Sequence, residues 1–196
     1  MTVDLDPAAL ARDRVRESIA TYEKLESSGA LDRVVAAARA VVDAYRDGHK
    51  VVLFGNGGSA ADAQHIAAEF VGRFLVDRTP LPAMALSVNT SALTAIGNDY
   101  GYDEVFARQL RASGVEGDVA IGLSTSGNSG NVLLAMEAAG EIGMTTVGFT
   151  GGSGGRLAGV VDHSIVIPAD STPRIQEGHL VCAHILCEIV ETTLFG

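Results

Sequence analysis

His65 and Glu69 stand four residues apart, and Gln176 and His184 stand eight apart towards the end of the chain. Imidazole, carboxylate and amide groups are the side chains that hold a divalent metal or move protons. The first pair follows a glycine-rich stretch, Gly55-Asn56-Gly57-Gly58-Ser59-Ala60. A second stretch of phosphate-binding type, Ser124-Thr125-Ser126-Gly127-Asn128-Ser129, lies between the two pairs. A metal or acid/base centre beside a phosphate pocket suits proton transfer on a phosphorylated sugar better than it suits a structural role.

The glycine-rich stretch matches the G-x-G-x-x-A dinucleotide fingerprint. That fingerprint also requires an acid about 20 positions on, ending the second strand, to hold the ribose. Here the second strand ends in Ser87-Val88-Asn89-Thr90, with no acid. A loop whose backbone amides approach a sugar or phosphate is the favoured reading over a turn that needs glycine for steric reasons alone. In the second stretch, hydroxyls and amides converge on a predicted helix start, where aligned N–H groups favour an anion. One hydroxyl would suffice to cap that helix, and several are present. Neither stretch contains lysine, so a Walker-type nucleotide site is excluded and a reversibly held phosphomonoester fits.

On a helix, His65 and Glu69 share one face. That spacing also fits a plain exposed pair, but here the helix starts at the glycine-rich loop. Gln176 and His184 are separated by about 12 Å of rise and roughly 80° of rotation on a straight helix. A zinc–nitrogen bond is only about 2 Å, so one ion can scarcely touch both from one straight helix. Either the helix is irregular near Pro173–Gly178, or the two ligands come from different copies of the chain. The second is favoured, and it makes oligomerisation a condition of activity.

These residues need elements to hold them. Helical spacing of apolar residues predicts a hairpin, Pro7–Ser27 and Ala30–Asp47, closed by Gly48 and suited to a helical bundle with other copies. From Val51 short apolar runs alternate with helices. Strands are predicted at Val51–Phe54, Ala83–Ser87, Val119–Leu123, Thr145–Phe149 and Ser164–Ile167. Helices are predicted at Ala60–Phe74, Ser91–Ile96, Asp103–Ser113, Asn131–Ile142, a short one near Arg156–Val160, and Pro173–Leu194. Runs such as Val51-Val52-Leu53-Phe54 are apolar on both faces, as buried parallel strands are. The expected fold is a three-layer αβα sandwich around a five-stranded parallel sheet, flavodoxin-like, with ligands at the carboxyl ends of the strands. One domain over 1–196 is expected, with 1–48 as the oligomer-forming hairpin and 49–196 as the α/β core.

Composition narrows the function. The 196 residues are 47% apolar and 19% charged, which is an ordered, globular balance. A net charge of −10 argues against nucleic acid and means that a phosphate must be held by local dipoles against the overall field. With no tryptophan and few aromatics, a base-stacking platform is not expected. Met1–Ala20 alternates charge without an apolar h-region, and no run reaches the ~20 uncharged apolar residues of a membrane span. A soluble cytoplasmic protein is expected. Cys182 and Cys187, about 140° apart on a helix, read as reduced thiols that cannot pair locally.

At Gly55-Asn56-Gly57-Gly58-Ser59 with Asp62, His65 and Glu69, then Gly97-Asn98-Asp99, Ser124 to Ser129 and Arg174-Ile175-Gln176-Glu177, the sequence resembles the bacterial phosphoheptose isomerases of the sugar-isomerase (SIS) domain superfamily. The resemblance covers essentially the whole chain. It implies conversion of sedoheptulose 7-phosphate to D-glycero-D-manno-heptose 7-phosphate, the first step towards nucleotide-activated heptose. It also implies a homotetramer with active sites between subunits and, in some members, zinc. His65, Glu69, Gln176 and His184 fall on zinc positions. Ser124, Thr125, Ser126 and Ser129 fall on phosphate positions. Asn56, Gly57, Gly58, Asn98 and Asp99 fall on sugar-contacting positions, and Ser59 belongs to the same loop. Some members carry an acid immediately before Arg-Ile-Gln, where this chain has Pro173.

An aldose–ketose interconversion moves a proton between C1 and C2 through an enediol. It needs a base, an acid or metal at the oxygens, and a fixed phosphate. Glu69 is assigned as base/acid at the C1–C2 edge and His184 as its proton-exchanging partner, with His65 and Gln176 holding zinc. Nickel, manganese and iron stay open on spacing. Asp62, three before His65, could orient that imidazole. His49 and His163 are expected to be solvated, His179 to point away from His184, and Tyr100 and Tyr102 to pack or line the pocket entrance. The competing readings are a non-catalytic SIS-domain protein that binds a replication initiator, or an isomerase of another sugar phosphate. Glu69 and His184 together argue against the first.

Overall fold

The structure is a computed structural model that describes residues 6–196; Met1–Leu5, the start of the charge-alternating stretch, lie outside the described residues. Helix α1 (Pro7–Ser27) starts at Asp6, whose carboxylate accepts from the amides of Ala8 and Ala9, with Pro7 in the first turn where no amide is needed. Helix α2 (Ala30–Arg46) returns beside it. Then come β1 (Val51–Gly55), α3 (Gly58–Val71), β2 (Ala83–Ala85), α4 (Thr90–Tyr100), α5 (Ala107–Ser113), β3 (Val119–Leu123), α6 (Gly130–Ile142), β4 (Thr145–Gly151), β5 (His163–Ile167) and α7 (Thr172–Phe195).

The five strands are all parallel, in the order β2-β1-β3-β4-β5. This is the flavodoxin-like order, and its switch point lies between β1 and β3. The residues after those two strands are the two stretches singled out in the sequence. A two-residue period divides the strands between two cores. Val51, Leu53, Ile121 and Phe149 face α2, α3 and α7, whereas Val52, Phe54 and Ala120 face α5 and α6. Helix α7 packs on α2 and α3, so the helices carrying His65 and His184 share one layer. The helix that begins at Ser129 lies in the other.

Several boundaries depart from the expected ones, among them α4, which runs on past Ile96 to Tyr100, and three departures have a clear physical reason. Helix α3 ends at Val71 rather than Phe74, because the next amides turn to a buried carboxylate described below. The expected helix Asp103–Ser113 divides into a 3-10 turn, Tyr102–Glu104, and α5, with Val105 and Phe106 both drawn into the core. Phe106 stacks at 5.5 Å on Phe54. The edge strand β2 spans three residues, and Ser87 beyond it bonds the carbonyl of Ala60 instead. Among the described residues, α7 is long and apolar enough to cross a membrane by length and composition, yet Ile175, Cys182, Leu186 and Val190 are buried in the core. The thiols of Cys182 and Cys187 are free, and burial pushes both up to about 12.

Candidate active site

The turn after β1 is made by Gly57, at φ +56°, a left-handed conformation that residues with a Cβ rarely adopt. Gly58 then opens α3, and a side chain there would overlap the Gln176 amide. Gln176 is therefore seated on the glycine-rich loop. The Arg174-Ile175-Gln176-Glu177 stretch faces three ways. Ile175 is buried, while Arg174 bonds the Arg14 carbonyl at 2.7 Å and Glu177 accepts from Ser18 at 2.7 Å. These contacts tie α7 to α1.

Two turns into α3, His65 Nε2 lies 3.3 Å from Glu69 Oε1 and 2.9 Å from Nε2 of His184. The ligand atoms of His65, Glu69 and His184 all lie within 4.8 Å of one another. The ring of Phe74 lies 5.6 Å from that of His184 and walls one side. An ion with bonds of ~2 Å in tetrahedral geometry sets its ligand atoms roughly 3.3 Å apart, so the cluster has the span of a metal site. Two imidazoles and a carboxylate are also the donor set of open zinc sites, which keep a position for substrate. The residues present fit zinc.

Within one protomer the cluster brings together three of the four expected ligands, His65, Glu69 and His184. Helix α7 runs unbroken from Thr172 to Phe195, so the spacing argument holds. Gln176 stays at Gly58, and a fourth ligand from Gln176 would have to come from another copy. Asp62 departs from its expected role. It makes no hydrogen bond to His65, and its Oδ2 is buried without a partner among the described residues. Burial raises the Asp62 carboxyl above its ordinary range against the pull of His65.

At the end of β3, the hydroxyls of Ser124 and Ser129 meet at 2.9 Å. Ser129 occupies the capping position of α6, but its side chain makes no capping bond. The first-turn amides of a helix have no intrahelical acceptor, so this start stays open to an anion. Ser126 Oγ accepts from the Asn128 amide at 3.2 Å, and Thr125 precedes it in the same turn. Gly127, at φ +65°, lets the loop lie against Gly154 and Thr150.

The two loops are joined by a contact that no local pattern signals. Asn56 and Asn131 exchange two amide hydrogen bonds, at 2.8 and 2.9 Å, and Tyr102 donates to Asn56 at 3.3 Å. The amide of Asn56, expected at the sugar, is thus already held by α6. Asn98 and Asp99 lie in the last turns of α4, bonded to each other at 2.8 Å and exposed. Helix α4 buries none of its residues in the protomer.

Of the other histidines, His179 is buried and bonds the Thr150 carbonyl, pointing away from the cluster. Burial pushes it down to about 4. His49 is not simply solvated, since its ring lies 3.8 Å from the buried Asp118 carboxylate. The sequence reading missed Phe74, Arg78, Asn131 and Glu191. Only Glu191 left a trace: a carboxylate on the apolar face of α7, two turns beyond His184.

Comparison with known proteins agrees with this architecture. Residues 15–151 match the SIS domain family model. A phosphoheptose isomerase of Clostridium acetobutylicum is 52% identical over 184 residues, covering 93% of this chain and 94% of that one. The structure of a phosphoheptose isomerase from Neisseria gonorrhoeae superimposes with a TM-score of 0.90 at 41% identity, over 95% of this chain and 100% of that one. One from Francisella tularensis gives 0.90 at 34% identity, over 96% and 100%. Their fold and length are those of the present protein, and the chain belongs to the phosphoheptose isomerases of the SIS-domain family.

Proposed function

We infer that the protein interconverts sedoheptulose 7-phosphate and D-glycero-D-manno-heptose 7-phosphate, the step that opens nucleotide-activated heptose synthesis. The observation that carries this reading is the meeting of His65 and Glu69, on the helix that begins at the glycine-rich loop, with His184 of α7. The phosphate would sit at Ser124, Thr125, Ser126 and Ser129, on the open start of α6. Asn56, Gly57, Gly58, Ser59, Asn98, Asp99 and Gln176 would surround the sugar.

In the forward direction Glu69 takes a proton from C1 while the ketose oxygen O2 gains one, leaving an enediol. Loss of the O1 proton and return of a proton to C2 then give the aldose, and the proton count closes. Zinc held by His65, Glu69 and His184, with Gln176 from another copy, would polarise the two substrate oxygens. His184 cannot hold an ion and exchange a proton through the same Nε2 at once. Glu69 has two carboxylate oxygens and can do both. We assign Glu69 the transfers at carbon, and His184 those at oxygen when its Nε2 is free.

The active form we propose is a cytoplasmic homotetramer of one SIS domain, with its hairpin over residues 1–48 joining the copies. Supporting this are the exposed Leu10, Val15, Ile19 and Tyr22 of α1, the unburied α4, and the eight residues of unbroken helix, about 12 Å of rise, between Gln176 and His184. The test is incubation with sedoheptulose 7-phosphate in deuterium oxide, with and without chelator. Aldose carrying deuterium at C2 is expected. Absence of any heptose product with the metal-loaded protein would refute the reading.

A further inference from the structure

The segment between α3 and β2 has no regular structure, yet one buried carboxylate gathers it. Glu191 accepts from the amides of Phe74 at 3.0 Å, Leu75 at 2.6 Å and Val76 at 3.1 Å, and from Nε of Arg78 at 2.9 Å. Arg78 donates through Nη2 to the carbonyl of Glu69 at 2.8 Å. Through Nη1 it donates to the carbonyls of Phe70 at 2.8 Å and Thr79 at 3.1 Å. The two side chains are only 2% and 4% exposed.

Each end of this network reaches the cluster. Glu191 lies seven residues after His184 on α7, so both stand on one helical face. The carbonyl held by Arg78 is that of Glu69 itself. Phe74, whose amide Glu191 fixes, lies against the His184 ring.

A buried ion pair is weak as a source of stability, because desolvation cancels much of the attraction and an apolar pair of similar volume does as well. What a planar guanidinium and a carboxylate add is direction. Here every bond is aimed at the end of α3, at the chain leaving it, or at α7. We propose that Arg78 and Glu191 are positioning residues that set α3 against α7, so that His65 and Glu69 meet His184 at metal-binding distance. Neither touches the reacting atoms. The inference rests on the reading of this cluster as the isomerase centre.

The test uses the full chain and the variants Arg78→Lys and Glu191→Gln, with Val34→Ala as a control that empties a fully buried position on α2. Zinc affinity is measured by chelator competition, the ligand field by cobalt(II) absorption, and turnover alongside. Outer partners that orient metal ligands typically change affinity about 10–100-fold, and a loss of that size is expected in both variants. The cobalt bands should shift, and kcat should fall while KM holds, since the phosphate loops hang on β1 and β3. Val34→Ala should lower the melting temperature yet keep the zinc affinity.

If the single variants do not fold, the double variant Arg78→Met, Glu191→Leu restores an apolar pair without direction. It should fold and still bind zinc weakly. Folded variants with wild-type zinc affinity and cobalt spectrum overturn the proposal, as does an equal zinc loss in Val34→Ala. A wild-type chain that binds zinc but makes no heptose overturns the isomerase reading instead. If wild type binds no zinc, the nuclear Overhauser contact between the His65 and His184 rings decides: its persistence in the variants overturns the positioning role, and its loss supports it.

Discussion

His65 and His184 face each other Nε2 to Nε2 at 2.9 Å across 119 residues of sequence. Only one of two neutral imidazoles can donate in such a contact, and a shared cation would engage both lone pairs. Zinc should therefore raise the melting temperature of the protein by binding the folded state. His65→Ala and His184→Ala should each abolish that rise in a thermal shift titration. An equal rise in either variant would remove the imidazole pair from the metal site.

Glu69 supplies the one carboxylate of the cluster. Glu69→Gln should lower turnover by about 10²–10⁴-fold, the range for loss of a general base. Sugar-phosphate affinity, measured by calorimetry, should persist because the phosphate loop is intact. Unchanged turnover would exclude Glu69 from the chemistry.

Ser124 and Ser129 present paired hydroxyls at the open start of α6. A hydrogen bond to a charged group contributes about 1.5–3 kcal/mol, so Ser129→Ala should raise KM roughly 10-fold or more. The melting temperature should hardly change, since the side chain makes no capping bond. A stable variant with unchanged KM would move the phosphate elsewhere.

His179 gives the protein an acid-sensitive term. Burial lowers its pKa from 6.5 to about 4, so the unfolded chain takes up this proton first as pH falls. Its stabilisation is fully present above pH 6.5 and is lost progressively towards pH 4, by about 3 kcal/mol at most. His179→Gln keeps a donor for the Thr150 carbonyl and should flatten stability over that window in urea titrations. Below it, both proteins should lose stability together. Burial opposes charge on Asp118, Asp162 and Glu191, but bonds from Lys50, Thr146 and the Leu75 amide hold all three carboxyls below their ordinary range. That contribution disappears only as pH falls through the depressed values. Identical slopes for the two proteins between pH 6.5 and 4 would refute the role of His179.

The alternation of strands and helices was legible because it follows from short-range patterning. Val51 to Phe54 is apolar on both faces, and a strand so composed must be covered twice. The glycine-rich turn and the serine-rich helix start were legible for the same reason, since their conformations depend on neighbours in sequence. The fold class put both loops at the carboxyl ends of the strands, and the order β2-β1-β3-β4-β5 in the structure then set them at the switch point between β1 and β3. Helix spacing alone put His65 beside Glu69 and kept Gln176 from His184.

Sequence could not say which distant partner each of these groups would meet. The meeting of His65 with His184 exists only because α3 and α7 cover the same face of the sheet. Asn56 facing Asn131, and Arg78 seated under Glu191, follow from how the layers close. In each case the pairing is set by shape and by the need of buried polar groups for partners. Those forces act between residues that the chain itself keeps far apart, so the folded arrangement alone could decide them.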